Sequence, residues 1–192
     1  MKKIGLVGED PNDTSAIENL LNQKYHSQAK FIKLAKGIKG TQLDTVKLKK
    51  QVVSEFNSKK CDFAICIRDL DAFESQTDKV NERLKWFSEI EKSISKSILL
   101  LNIWELEALI YADIETFETK YHTKLNFKGN PISIQNPKEK LKAATRNSKN
   151  KFHESHCPEI FKKIRIDTVI KNCNGFKNFI ADFENHLNPN KP

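Results

Sequence analysis

Close cysteine pairs, long apolar runs and glycine-rich phosphate loops are all missing from this chain, and each absence removes a class of protein. The four cysteines, Cys61, Cys66, Cys157 and Cys173, form no Cys-x-x-Cys pair. Two of them lie in or beside an apolar run, where a thiol serves as a small hydrophobe. A disulfide framework is therefore not expected. His153, His156, Cys157 and Cys173 could be drawn together as zinc ligands, but their spacing matches no common zinc pattern. No apolar run approaches the roughly 20 residues of a membrane-spanning helix. The opening Met1-Lys-Lys-Ile-Gly-Leu-Val-Gly-Glu9 turns acidic too soon for a secretory leader, so a cytoplasmic protein is expected. No Gly-x-x-x-x-Gly-Lys-Ser/Thr loop is present, and the chain brings no P-loop ATPase site of its own. Internal repeats and low-complexity tracts are lacking too.

What is there is a basic, globular composition. With 192 residues, 38% hydrophobic and 30% charged, the chain can bury one sizeable core and carry a small appended lobe. Its formal net charge is +8. A basic protein that gathers carboxylates at a few points is the combination expected of an enzyme acting on nucleic acid. Lysines and arginines attract the phosphates, and the carboxylates hold a metal. Only four of the 33 basic residues are arginine, a bias that a lysine-rich genome would also produce.

Periodicity predicts strands alternating with helices over the first 101 residues. A strand over 2–8 leads to a helix over 14–22, with Ile17, Leu20 and Leu21 on one face and a capping box at Ser15-Ala-Ile-Glu18. A lysine-interrupted strand over 29–35 belongs near an edge. A break at Gly37-Ile-Lys-Gly40 precedes a helix over 43–56, with Val46, Val53 and Phe56 as core candidates. An apolar run from Phe63 to Ile67 reads as a buried strand. Next come a helix over 77–94, with Trp86, Phe87 and Ile90 facing the core, and a strand over 98–101. Such alternation predicts an α/β fold with a mostly parallel four-stranded sheet flanked by helices. No strong strand signal follows. Helices are expected over 115–121, 138–145, 158–169 and 175–187, which gives an α/β domain over 1–113 and a basic helical lobe over 114–192 packed on it. The tail 188–192 is expected to fray.

The carboxylates carry the chemistry. Asp69 and Asp71 close the strand that begins at Phe63, and strand alternation sends both to one face while Leu70 turns away. Two adjacent carboxylates repel unless a cation or a shared proton relieves them. Hard divalent cations take such oxygen ligands. A solvated turn would also favour aspartate there. Glu9 sits at the exit of the first strand, and Asp10 or Asp13 suits the positive end of the following helix. Ligands in parallel sheets bind beyond the carboxyl ends of the strands. If strands one and three are neighbours, Glu9 meets Asp69 and Asp71 on one rim. Glu105, Glu107 and Asp113 interrupt an apolar run, and their spacing favours a wet helix face.

The order Val7-Gly8-Glu9…Asp13, Ile67-Arg-Asp69-Leu-Asp71 and Glu107-Ala-Leu-Ile-Tyr-Ala-Asp113 resembles TOPRIM domains. It is most similar to small stand-alone TOPRIM-like proteins related to the OLD-family nucleases. Asn136-Pro-Lys138…Leu141 and Cys173…Phe176…Phe179 resemble that family's tail. The resemblance implies a sheet that binds Mg²⁺ or Mn²⁺ through Glu9, Asp13, Asp69, Asp71 and Glu107. Glu9, Asp69 and Asp71 would be catalytic. Leu109 stands where the family usually has Trp, and Trp104 lies upstream, so the choice between Glu105 and Glu107 stays open. The resemblance implies a phosphate-binding lysine, which the basic loop at Lys149 and Lys151 would supply, and Arg68 would be a further nucleic-acid contact.

The leading expectation is a metal-dependent nuclease hydrolysing DNA or RNA phosphodiester bonds in the two-metal manner, in the setting of anti-phage defence. The resemblance implies an ABC-type ATPase as partner, and homo-oligomerisation is left open. The alternative is a non-catalytic TOPRIM-like subunit that binds nucleic acid or acts as a sensor in an ATPase-containing defence complex. A nucleophilic Asp-x-Asp phosphatase would carry its pair on the first strand, not the third. A nucleotide-sugar transferase would leave the basic charge unexplained.

Overall fold

The computed structural model describes residues 1–36 and 40–189. Residues 37–39 of the break expected at Gly37-Ile-Lys-Gly40 and the last three residues of the tail lie outside the described residues. Four strands, β1 (Lys2–Val7), β2 (Ala29–Lys33), β3 (Phe63–Asp69) and β4 (Ser97–Asn102), form one sheet in the order β2-β1-β3-β4. Every pairing is parallel. The lysine-bearing β2 is an edge strand, as its composition predicts. The helices are α1 (Pro11–Tyr25), α2 (Val46–Ser58), α3 (Thr77–Glu91), α4 (Ile114–Tyr121), α5 (Pro137–Ala144), α6 (Cys157–Phe161), α7 (Ile166–Asn172) and α8 (Asn174–Leu187). Among the described residues, no helix is long and apolar enough to cross a membrane.

Strand alternation splits the apolar side chains between two layers. Ile4, Leu6, Phe63, Ile65, Ile67, Ile98 and Leu100 meet Ile17, Leu20 and Leu21 of α1 on one side of the sheet. The same continuous cluster takes in Phe161, Val169, Phe176, Phe179, Ile180 and Phe183, so the C-terminal helices share their core with the sheet. On the other side, Val7, Ala64 and Cys66 pack with Val52 of α2 and with Trp86 and Ile90 of α3. Val46 does not join this layer. It is 67% exposed, because the packed face of α2 begins further along, at Leu48 and Val52.

The helix expected over 43–56 runs Val46–Ser58 and that over 77–94 ends at Glu91, and two further differences have a local reason. Helix α1 starts at Pro11, because Asp10 rather than Ser15 is the cap. The Asp10 carboxylate accepts from the Asn12 N–H at 2.7 Å, and proline suits the first helical position. The helix expected over 158–169 is two helices. Gln23 donates to the carbonyls of Phe161 and Ile164, and the Arg165 N–H turns to the Asp113 carboxylate at 2.7 Å. With those groups diverted, the chain is extended at Arg165 and restarts as α7.

Phe183 is fully buried, its ring centroid 4.8 Å from that of Tyr25 and 5.8 Å from that of Phe63. Phe183→Ala should destabilise the protein by about 3–5 kcal/mol, the usual cost of emptying a buried aromatic position. Urea unfolding followed by tryptophan fluorescence and by circular dichroism should stay a single coincident transition. An early loss of helix with the sheet intact would show that α8 is not part of the common core.

Candidate active site

The parallel register brings the acidic strand ends together. Val7 pairs with Cys66 and Asp69 pairs with Asn102, so β1, β3 and β4 all end on one rim. Gly8 permits the close start of α1 there, since a Cβ at that position would lie 2.9 Å from Thr14 Cγ2. The result is a cleft of about 400 Å³. Its walls carry Glu9, Asp10 and Asp13 from the first strand–helix junction, Asp69 and Asp71 from the third strand, Glu105 and Glu107 after the fourth, and Lys138 and Glu154 from the C-terminal part.

Asp13, Asp69 and Glu107 form the inner group. Burial raises all three carboxyls above their ordinary range. Asp13 is pushed up to about 8, with Glu107, Asp10 and Glu9 adding repulsion to the burial. Asp69 is raised by burial and by the charges of Asp13 and Glu107, while the Asn102 amide, donating at 2.9 Å, pulls the other way. Asn102 Oδ1 is buried with no hydrogen-bond partner among the described residues. The Cys157 thiol lies against Glu107, Sγ 3.7 Å from Oε1, and stays protonated through burial and these carboxylates.

Glu9 and Arg68 face the opposite layer. Arg68 Nε is 2.6 Å from Glu9 Oε1, and Nη1 donates to Asp44 at 2.8 Å. The Nε–H does not point along the short contact, which is an ion pair rather than a directed hydrogen bond. The guanidinium stands 4.6 Å over the Trp86 ring and is 2% exposed. Arg68 is thus not a surface nucleic-acid contact, as expected from sequence, but an internal brace for Glu9. Alternation along β3 turns it to the α2/α3 layer, where Asp44 and Trp86 enclose it.

Asp71 lies past the end of β3, so simple alternation no longer governs it. Its backbone is left-handed, φ 54°, as is that of Trp104 opposite, φ 61°. The two strand exits stay paired through Asp71 N–H to Trp104 O at 2.9 Å and Trp104 N–H to Ala72 O at 3.2 Å. Non-glycine residues in this region are strained, and such strain collects at functional sites. Asp71 is the outer carboxylate of the pair, 56% exposed and 3.6 Å from Arg83.

The structure separates the two glutamates left open by the sequence. Glu107 belongs to the inner group, whereas Glu105 binds Lys138, Oε1 to Nζ at 2.8 Å and Oε2 to the backbone N–H at 3.2 Å. Burial would lower the Lys138 ammonium, but the hydrogen bond to Glu105 and the charges of Glu105, Glu107 and Glu154 together outweigh it and keep the group charged. Glu107 and Asp113 do not lie on a wet face, being 6% and 3% exposed. The 3₁₀ segment Leu106–Asp113 is packed all round, and Asp113 is neutralised by Arg165, whose Nε donates at 3.0 Å. Sequence pattern does not mark Lys138, Glu154 or Asn102 as site residues, and it offers Cys157 only as a member of a zinc cluster that the spacing disfavours. Only Lys138 carried a signal, its place in the Asn-Pro-Lys motif. Lys149 and Lys151 line a different hollow.

A family model described as a domain of unknown function, DUF4276, matches residues 8–184. The chain belongs to that family. The matched span holds every candidate residue from Glu9 to Lys151. No curated protein and no solved structure matches the chain significantly.

The raised carboxyls set a pH dependence for the metal-free protein. Between the unfolded value near 4 and the folded value of about 8, Asp13 keeps a proton that the unfolded chain has released. Its stabilisation is complete below that window and is lost as pH rises through it. The lowered carboxyls, such as Asp62 and Glu118, act only at lower pH. In chelator, the melting temperature should fall from about pH 5 to about pH 8, and Asp13→Asn should flatten that fall. A flat or rising wild-type profile would contradict the assigned coupling.

Proposed function

We propose that this chain is a metal-dependent phosphodiesterase of the TOPRIM type, a nuclease akin to the OLD family that uses Mg²⁺ or Mn²⁺. The observation that carries this reading is the meeting of Asp13, Asp69 and Glu107, from three separate segments, in one cleft where burial and mutual repulsion raise their carboxyls. A cation relieves both penalties at once. The donors fit a hard ion, since they are carboxylate oxygens, and the Asn102 amide already holds one oxygen of Asp69 in place. Among the described residues no three such side chains already converge on one point as a ligand set, so binding would draw them inward.

Asp13, Asp69 and Glu107 would hold the metal, with Asp71 at its outer edge. A divalent cation bound there supplies Lewis acidity and a more acidic water. Glu9 has one oxygen on Arg68 and lines the cleft, so its carboxylate takes the proton of the attacking water. Lys138, charged beside Glu105, donates to a phosphate oxygen and offsets the charge that grows on it. Water adds across a P–O bond and leaves a phosphomonoester and a hydroxyl. The four free cysteines agree with a cytoplasmic setting. An ABC-type ATPase partner would couple cutting to anti-phage defence.

The second reading is a non-catalytic subunit that binds nucleic acid in an ATPase-containing complex. It is favoured by the absence of a preformed ligand set among the described residues. Incubation of purified protein with plasmid DNA and with total RNA, in Mg²⁺, in Mn²⁺ and in chelator, separates the two. Cutting should require the cation and fall at least about a hundredfold in Asp69→Asn and in Glu9→Gln with the fold intact. Full activity in either variant would sink the assignment, and inactivity of folded wild type in both metals would favour the subunit.

A further inference from the structure

The 3₁₀ turn Glu154–His156 borders two hollows of opposite character. Glu154 lines the carboxylate cleft, whereas His156 lines a second hollow of about 510 Å³ with Lys120, Tyr121, Lys149, Asn150 and Lys151. The next residue, Cys157, touches Glu107. The two hollows are therefore neighbours along one short segment.

The second hollow is built for anions. Among the described residues, none of its three lysines has a carboxylate partner, in contrast to Lys138. Its histidine is held in one tautomer. The His153 backbone N–H donates to His156 Nδ1 at 3.3 Å, so that nitrogen is bare and the ring proton sits on Nε2. The Tyr121 hydroxyl, 2.9 Å away, donates to the same Nδ1. Burial, together with Lys120 and His153, lowers the imidazole's pKa, which favours a neutral N–H donor. The strand of chain bearing the lysines is anchored at Phe152, which is 4% exposed and whose N–H donates to the buried Thr145 hydroxyl at 2.9 Å.

The cleft next door has a matching need. Among the described residues, eight carboxylates line it, and its one lysine is already paired with Glu105. A polyanionic strand would be repelled from such a cleft unless cations beside it offset the repulsion. We propose that the Lys120–Lys149–Lys151–His156 hollow binds backbone phosphate of a nucleic-acid strand whose neighbouring phosphodiester lies in the carboxylate cleft. The identity of the bound strand rests on the nuclease reading above. A small phosphate compound would fill one hollow alone, whereas a strand spans both.

The test is fluorescence anisotropy with a labelled oligonucleotide in chelator, where no cutting occurs. Lys149→Glu/Lys151→Glu should weaken binding at least tenfold and reduce the slope of log Kd against log salt by about one to two. The milder Lys149→Gln/Lys151→Gln should give a smaller loss, with melting temperatures unchanged in both. Asp69→Asn should bind at least as tightly as wild type. Wild-type affinity and slope in the double charge reversal would overturn the proposal, as would a wild type that binds no oligonucleotide. Displacement by inorganic phosphate or a nucleoside triphosphate as effectively as by unlabelled oligonucleotide would assign the hollow to a small phosphate instead. Metal-dependent cutting that the charge reversal leaves untouched would remove this inference and spare the nuclease reading. Lysine-dependent binding without any cutting would do the opposite.

Discussion

The parallel pairing of β1 with β3 is the constraint on which the rest of the site depends. Parallel neighbours end on the same rim, and the Val7–Cys66 register sets the exits of the two strands side by side. Glu9 and Arg68 can then form their ion pair in one layer, while Asp13 and Asp69 face each other in the other. A slip of one residue would exchange the faces and scatter both groups. The buried rows Phe63, Ile65, Ile67 and Ala64, Cys66 make such a slip costly, because each row belongs to a different core.

Charge is distributed around this rim in a graded way. The inner carboxyls are desolvated and mutually repelling, Glu9 is braced from behind by a buried guanidinium, and Glu105 is neutralised by Lys138. Outside the cleft the balance reverses, in keeping with the chain's formal charge of +8. A buried ion pair adds little net stability but is costly to break, because the remaining charge is stranded. Arg68 is best understood in those terms. It fixes where Glu9 sits more than it strengthens the fold.

The C-terminal helices also hold the site in place. Gln23 of α1 binds carbonyls at the end of α6, and Arg165 ties α7 to Asp113. These links position Cys157 against Glu107. They also press the 3₁₀ segment Leu106–Asp113 into the core, so that Glu107 points inward. Asn136, left-handed at φ 49°, starts α5 where the Lys138 backbone and ammonium both reach Glu105.

The alternation of strands and helices, the edge position of β2 and the carboxylates at the strand ends were legible because each follows from short-range pattern: period two, period 3.6, and turn chemistry next to them. Glu9 and Asp69 could be named from their place at strand exits alone. Pattern could not reveal which side chains a neighbour encloses. Arg68 reads as a free cation until Trp86 and Asp44 are placed around it, and Glu107 and Asp113 read as wet until the C-terminal helices cover them. Val46 fits the helical stripe yet is 67% exposed, since periodicity marks a face without saying where the sheet beneath it ends. The elements and the residues at their ends are set by neighbours a few positions away, so the order of amino acids is enough to specify them. Which carboxylates are buried together, and which lysine stands among them, is settled by packing, because Glu107, Lys138 and Cys157 meet the strand ends through contacts spanning much of the chain.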